Sequence, residues 1–560
     1  MAMALAVFVR SAVAAPPGEV LPLSHDLRVR LVAGRDLVLE AKPLSGENMD
    51  TLARRLGVAP AVRGELTDDG FCRIPFGVLG DDARSVVVRN VFPEDRADGA
   101  DWLHVARKSA LPLYDEGLWQ VAAWFTGDGA HFVDLMRTNG LSSPELEPGQ
   151  IVRIPGSLLD RAFRPAPSSD DGTLVYGTDD RGEFAGYRLK AGEALYSAVV
   201  LRFTGRTTPE DVETLARSIA SRSGIGDLTD IPVGWLVKIP LDAVEPEFLP
   251  RSSERRKNLE QRKEAMEREL IARPPKGTKL GLRGVVVILD PGHGGMDPGT
   301  MSHGIWEHDY VFDVASRLKR ELESKTGAKV YLTIDDPRTG AIPSTGDVLE
   351  SNRTRTVLTT PPFVADENGE TAVAVNLRWY LANSVYRRLT KGGTDPDRIV
   401  FVSLHADARH PSLRGAMVYV PGATYRVGSL GYSSSSYLRF KEVREQPHVS
   451  FPRRERVRSE AVSRRLAAAI VKALKTGRLP VQPYQPIRER VIRGNEVWLP
   501  AVLRGNAVPT KVLVEMVNLN NADDAALLSR SADRERLAEA LAAALAAHFG
   551  PSSAGRGQGR

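Results

Sequence analysis

The chain has 560 residues, 42% of them hydrophobic; that is too long for one core and apolar enough for folded domains along most of its length, so two to four domains are expected. Its 75 basic and 70 acidic residues nearly cancel to +5, which gives no electrostatic footprint for nucleic acid. The single cysteine, Cys72, excludes an intrachain disulfide and a cysteine-rich zinc site.

The N-terminal stretch "MAMALAVFVRSAVAAPPGE" is apolar from Ala2 to Val9 and then small at Ala12, Val13 and Ala14, the pattern of a signal peptide over 1–15 that lacks a basic flank. Export to the periplasm or cell envelope is the expectation. Elsewhere no run approaches the roughly 18 uninterrupted apolar residues of a membrane span, so none is expected.

A repeat follows. "RIPFGVL" at 73–79, "RIPGSLL" at 153–159 and "KIPLDAV" at 238–244 recur about 80 residues apart, each closing a segment of helical periodicity. The segments resemble LysM modules, small α+β units of βααβ order that bind N-acetylglucosamine-containing glycans, with expected boundaries 16–80, 81–165 and 166–245. The middle one matches best: Gly117, Leu118 and Trp119 open its first helix, Leu135 and Asn139 lie in its second, and "LEPGQIVRIP" is its last strand. The first lacks the Asn-containing loop, and the third carries an insertion around "TGRTTPEDVE". Residues 246–280 are charge-rich with proline at both ends and predict a solvated helical linker whose charges need no partner.

From 284 the pattern is βαβ. "VVVIL" is followed by the helix "EHDYVFDVASRLKREL", with Val311, Val314, Ala315, Leu318 and Leu322 on one face and Gly327 at its end. The strand "KVYLTI", the helix "NLRWYLANSVYRRL", the strands "IVFVSLHAD" and "GAMVYV", the helix "SEAVSRRLAAAIVKAL", the strand "KVLVEMV" and the helix "RERLAEALAAALAAHF" complete it. The fold class is α/β, a three-layer domain over 281–550 around a largely parallel sheet, followed by a disordered tail at 551–560.

Strand ends in such a sheet are where ligands sit, and here they carry metal-binding groups. His293 follows the first strand inside "ILDPGHGGMDPGT", Glu307 begins the first helix, His405 ends "FVSLHAD" and Glu515 ends "KVLVEM". Two imidazoles and a carboxylate with an open fourth position are the set a catalytic zinc takes, and a further carboxylate is then needed as base.

The stretch "LDPGHGGMDPGT…WEHDYVFDVA…NLRWYLANSV…FVSLHAD…KVLVEMVNLNN" resembles the zinc-dependent N-acetylmuramoyl-L-alanine amidases of the AmiC type. The resemblance implies Zn2+ held by His293, Glu307 and His405, with Glu515 catalytic. It also implies cleavage of the amide between N-acetylmuramic acid and L-alanine of the peptidoglycan stem peptide. Asn383 and Asn521 match further positions of the family. The family's Thr-Arg is Thr333-Ile334 here, residues 336–373 look inserted, and its E-x-G-F becomes "EMVN" with Val517 and Asn518. These departures bear on the shape of the substrate groove. The alternatives are a zinc peptidase acting on cell-wall peptides and a non-catalytic peptidoglycan-binding envelope protein.

Residues 421–458, between the strand after His405 and the next helix, contain the Gly/Ser run "GSLGYSSSSY" and the charged "RFKEVREQ" and "RRERVR". The run is expected to be mobile. Some amidases of the family carry an inserted helix here that covers the site until a partner withdraws it, so the resemblance implies a lid and an activator protein acting on it; the bland alternative is a solvated loop. The modules would hold glycan, and 281–550 would cleave without them.

Overall fold

A computed structural model describes residues 20–32, 36–59, 65–112, 116–273, 282–364 and 371–550. The expected signal peptide at 1–15 and tail at 551–560 lie outside the described residues. The chain divides into two compact units, Met1–Thr204 with Thr214–Ser253, and Gly205–Glu213 with Glu254–Arg560.

The first unit holds three small antiparallel sheets. Strands Leu27–Val32, Asp36–Ala41 and Cys72–Pro75 form the centre of the first sheet. Helix Met49–Arg55 starts between them, where Asn48 and Thr51 cap each other reciprocally. In the second, Asp101–Val105 pairs with Ile151–Ile154 across the helices Leu118–Thr126 and Phe132–Asn139, a strand–helix–helix–strand order. Gly127, at φ 79°, ends the first of those helices in the left-handed conformation that glycine tolerates. In the third, Gly182–Arg188 pairs with Leu236–Pro240 and helical segments again intervene, the last being Pro209–Ser223. Each Ile-Pro repeat closes a strand because its isoleucine points inward: Ile74, Ile154 and Ile239 are all buried.

The second sheet module buries an ionic cluster. His104 is fully buried, with Nδ1 2.8 Å from Asp95 Oδ2 and Nε2 2.6 Å from Glu116 Oε1. Asp95 also accepts from Trp102 Nε1 and the Val105 amide, which leaves little of its polar capacity unmet.

The second unit is built on six strands: β1 (Val286–Pro291), β2 (Lys329–Leu332), β3 (Ile399–His405), β4 (Met417–Tyr419), β5 (Ile487–Arg488) and β6 (Thr510–Glu515). Their order is β2-β1-β3-β6-β4-β5, parallel except where β4 runs against β6. Helices α1 (Glu307–Thr326), α2 (Thr371–Lys391), α3 (Arg453–Thr476) and α4 (Ser531–Phe549) accompany it. Val287, Leu289, Val400, Val402, Val512 and Val514 pack in one core with apolar residues of α1, α3 and α4. The opposite-facing Val286, Ile288, Phe401 and Leu513 are buried too, so both faces are covered, as parallel strands require. The register pairs Pro291 with Leu404 and His405 with Glu515, which aligns the carboxyl ends of β1, β3 and β6.

Two expectations change. The charged helix Glu254–Ala272 buries no residue, yet its charges do have partners: Arg262 meets Glu489 at 3.1 Å, and Glu269 meets Arg454 of α3 at 2.8 Å. It belongs to the second unit rather than serving as a free spacer. The 421–458 segment is not a bare mobile loop. It forms a strand pair, Ser429–Gly431 with His448–Ser450, and two short helices, and from Arg453 it is already α3. Its Tyr432 and Tyr437 stack at 4.6 Å, Tyr437 accepts from Asn376 of α2, and Tyr380 of α2 donates to Pro447 O. The aromatic residues within the Gly/Ser run supplied the burial that composition alone does not suggest.

Candidate metal centre

Four side chains come to the carboxyl edge of the sheet by four routes. β1 ends at Pro291, and the turn after it places His293 at φ 62°, a left-handed conformation uncommon for a side-chain-bearing residue. The flanking glycines have a steric reason. A Cβ on Gly292 would lie 2.6 Å from the His405 ring, and one on Gly299 2.6 Å from Glu307 Oε2 and 2.7 Å from His293 Cδ2. The loop must therefore lack side chains exactly where the rings and the carboxylate converge.

Glu307 is the first residue of α1 and is 2% exposed. Its Oε2 accepts from the Thr300 amide at 2.8 Å and its Oε1 from the Ala406 amide at 2.9 Å. Oε1 also stands 3.2 Å from His293 Nε2 and 3.1 Å from His405 Nδ1. The two imidazole rings are 4.9 Å apart and nearly perpendicular. One ligand atom from each of the three residues lies within 4.8 Å of the others, the spacing of a set that converges on one ion. The donor set, two imidazoles and one carboxylate, is what zinc takes at a catalytic site.

The electrostatics agree with a cation there. Burial disfavours charge on His293, but Glu307 and Asp297 push it up to about 10. Burial likewise opposes ionisation of Glu307, and the two imidazoles nevertheless hold its carboxyl well below the ordinary range. A carboxylate held ionised beside imidazoles is one whose positive partner a metal ion can replace.

Glu515 ends β6 beside His405. Its Oε2 accepts from the Asp407 amide at 3.0 Å, and it is 5% exposed. Burial, then Asp407 and Glu307, push its carboxyl well above the usual range, with Arg409 pulling the other way. It lines a cavity of about 770 Å³ together with all three converging residues. Tyr419, Arg409 and Trp498 line it as well, and so do Thr208, Pro209 and Glu210.

Those last three come from the strap Gly205–Glu213, which belongs to the second unit. It is tied down by the His410 amide to Thr207 O at 2.8 Å, by Arg488 Nη1 to Gly205 O at 3.0 Å and by the Gly494 amide to Asp211 Oδ1 at 2.9 Å. The residues "TGRTTPEDVE" that look like an insertion in the third repeat are thus a wall of the cavity. None of residues 421–458 lines it.

Sequence reasoning also passed over Asp297 and Arg378. Asp297 Oδ2 is 3.0 Å from His293 Nδ1 and orients the ring, as outer-shell carboxylates do for metal-binding histidines. Its signal was present four residues after His293. Arg378 of α2 donates to Pro291 O at 3.0 Å and to His293 O, holding the loop in shape. Nothing local marks it. The two asparagines have structural roles: Asn383 bridges Gly505 O and the Ala507 amide, and Asn521 caps the helix Ala522–Ser529. Asn518, one of the departures, accepts from the Arg409 amide and donates to His410 O and Leu413 O, fastening the loop after β3.

With this geometry in view, comparison with known proteins is specific. Residues 287–547 match the family described as N-acetylmuramoyl-L-alanine amidase. The chain is 25% identical over 294 residues to N-acetylmuramoyl-L-alanine amidase AmiC of Neisseria meningitidis, covering 51% of this chain and 57% of that protein. It is 26% identical over 279 residues to the AmiC of Escherichia coli, covering 49% and 55%. The chain thus spans just over half the length of these curated relatives. Among solved structures, the amidase Ami1 of Mycobacterium smegmatis aligns over 48% of this chain and 98% of its own, at 19% identity and a TM-score of 0.31. Among the described residues no helix is long and apolar enough to cross a membrane.

Proposed function

We propose that the protein is a zinc-dependent N-acetylmuramoyl-L-alanine amidase that acts on peptidoglycan in the periplasm or cell envelope. The observation that carries this reading is the convergence of His293, Glu307 and His405 beside Glu515 in a stretch that matches that family. His293, Glu307 and His405 would hold the ion. Bound there, zinc supplies Lewis acidity that lowers the pKa of water and polarises a carbonyl.

The chain's own groups do the rest. Glu515 takes a proton from water at a carboxylate oxygen and returns it to the departing amine of L-alanine, so the C–N bond breaks as a C–O bond forms. Its raised pKa suits the second of these roles, because a carboxyl near its ordinary value would be a poor acid at neutral pH. Asp297 fixes the orientation of His293, and the Asp407 amide fixes that of Glu515.

The three sheets of the first unit are read as LysM-like modules over 16–80, 81–165 and 166–245. The strand–helix–helix–strand order of the second and third supports this. They would hold glycan strands and raise the local concentration of scissile bonds without touching the chemical step. An activator that engages the 421–458 segment would act through α2, against which that segment packs and from which Arg378 reaches the His293 loop.

The test is digestion of purified peptidoglycan followed by mass spectrometry. Release of intact stem peptides is expected; shortened peptides would instead indicate the zinc peptidase, and no change the binding protein. Purified protein should carry about one zinc per chain. Glu515→Gln should keep that metal and lose hydrolysis by at least a hundredfold, roughly the contribution of a general base. His405→Ala should lose both.

A further inference from the structure

At the other end of β6 the second unit carries a separate, partly open cavity of about 580 Å³. Lys511 and Glu515 lie on the same strand four residues apart, so roughly 13 Å separates this cavity's lysine from the amidase carboxylate. Among its lining residues are Lys511, Arg426, Tyr386, Phe451 and Ser459.

Two basic side chains are buried there, and among the described residues neither makes an ion pair. Lys511 is fully buried, and its Nζ donates to Ser459 Oγ at 2.8 Å and to Val508 O, both neutral acceptors. Arg426 is 2% exposed, lies over the Phe451 ring and donates to Arg504 O and Asn506 O, also neutral. Among the described residues, neither is paired with a carboxylate. Tyr386 lines the same space, and its hydroxyl donates to nothing among the described residues. The carboxylates that also line the cavity are engaged or outlying. Asp397 pairs with Arg458 at 2.8 Å, Asp395 caps the turn at Asp397, and Glu455 is solvent-exposed, acting on Lys511 and Arg426 by charge but hydrogen-bonded to neither.

Buried charge without a partner is costly, and chains retain it where something supplies the opposite charge. We propose that this cavity is a binding site for a small oxyanion, a phosphate or a carboxylate group, held between Lys511 and Arg426 with the Tyr386 hydroxyl as a third donor. The electrostatics point the same way. Burial and then the like charge of Arg426 hold Lys511 well below its ordinary range, and burial with Arg456 brings Arg426 down to about 9, in both cases against the opposing pull of Glu455. An anion between them would reverse both shifts. The site uses none of the groups assigned to hydrolysis, so it stands whether or not the amidase reading does.

Calorimetric titration of the full chain tests it, with inorganic phosphate in one arm and succinate in the other, at ionic strength held constant with chloride. Saturable binding of one equivalent is expected in at least one arm, and the responding arm identifies the anion class. Lys511→Met should weaken it at least tenfold and Tyr386→Phe severalfold, while His405→Ala should leave it unchanged. Tyr386→Phe removes only a hydroxyl from a half-buried ring, so it carries the test if Lys511→Met does not fold. Absence of saturable binding in both arms overturns the proposal. So does binding that survives Tyr386→Phe undiminished, or that disappears in His405→Ala and therefore belongs to the metal centre.

Discussion

Arg409 shows how much a single side chain can set. It pairs with Asp407, lines the cavity and lowers the pKa of Glu515, so its removal takes away a positive charge and frees the negative one beside it. Both changes disfavour the ionised carboxylate that the proposed reaction needs as its base. Arg409→Gln should therefore move the acid limb of the kcat/KM profile to higher pH by roughly one unit, the usual scale for one close charge. A profile that falls in height without shifting would assign Arg409 to substrate binding instead. In the first unit, Asp95 and Glu116 overcome the burial penalty on His104 and push it up to about 9, above the ordinary 6.5. The stabilisation is complete below about pH 6.5 and is lost as pH rises through about 9. Between pH 6.5 and 9.5 the wild type should lose on the order of 2 kcal/mol more than His104→Gln, measured by denaturant unfolding of the full chain. Equal losses would mean that the cluster is not ionised as drawn.

At the scale of elements, the 421–458 segment behaves as part of the structure around α2. Replacing residues 428–450 with a short Gly-Ser link should lower the melting temperature, because it strips the cover from Tyr380 and Asn376, and should not raise activity on isolated wall. A severalfold gain in activity with unchanged stability would restore the lid. The strands and the convergence of His293, Glu307, His405 and Glu515 were legible because short β-branched runs bounded by Gly and Pro read as buried strands, and parallel strands bring their last residues to one edge. Glu307 could be placed as the start of a helix whose apolar face is written in Val311, Val314, Leu318 and Leu322. Arg378 and the strap were not legible. Arg378 acts on a residue 85 positions away, and the strap sits inside a segment whose own repeat pattern pointed elsewhere. Contacts of that kind leave no periodicity.

At the scale of the whole chain, the first unit should carry retention on the wall. Variants disrupting its second sheet module, such as Leu135→Asp at a fully buried helix position, should sediment less with sacculi while keeping turnover on a small soluble muramoyl peptide. Unchanged sedimentation would remove that module from wall binding.

The strap has a consequence for how such a chain is cut and recombined. A boundary drawn at Gly281 by reading domains as consecutive stretches would keep His293, Glu307, His405 and Glu515 but leave Thr208, Pro209 and Glu210 behind. The second unit is discontinuous in the sequence although it is continuous in space. A cassette excised at that boundary and fused to a foreign wall-binding module would bring along its chemistry with one side of the groove open. The modular look of the sequence therefore overstates its modularity: exchange of the third repeat would alter what the cavity beside His293, Glu307 and His405 can hold.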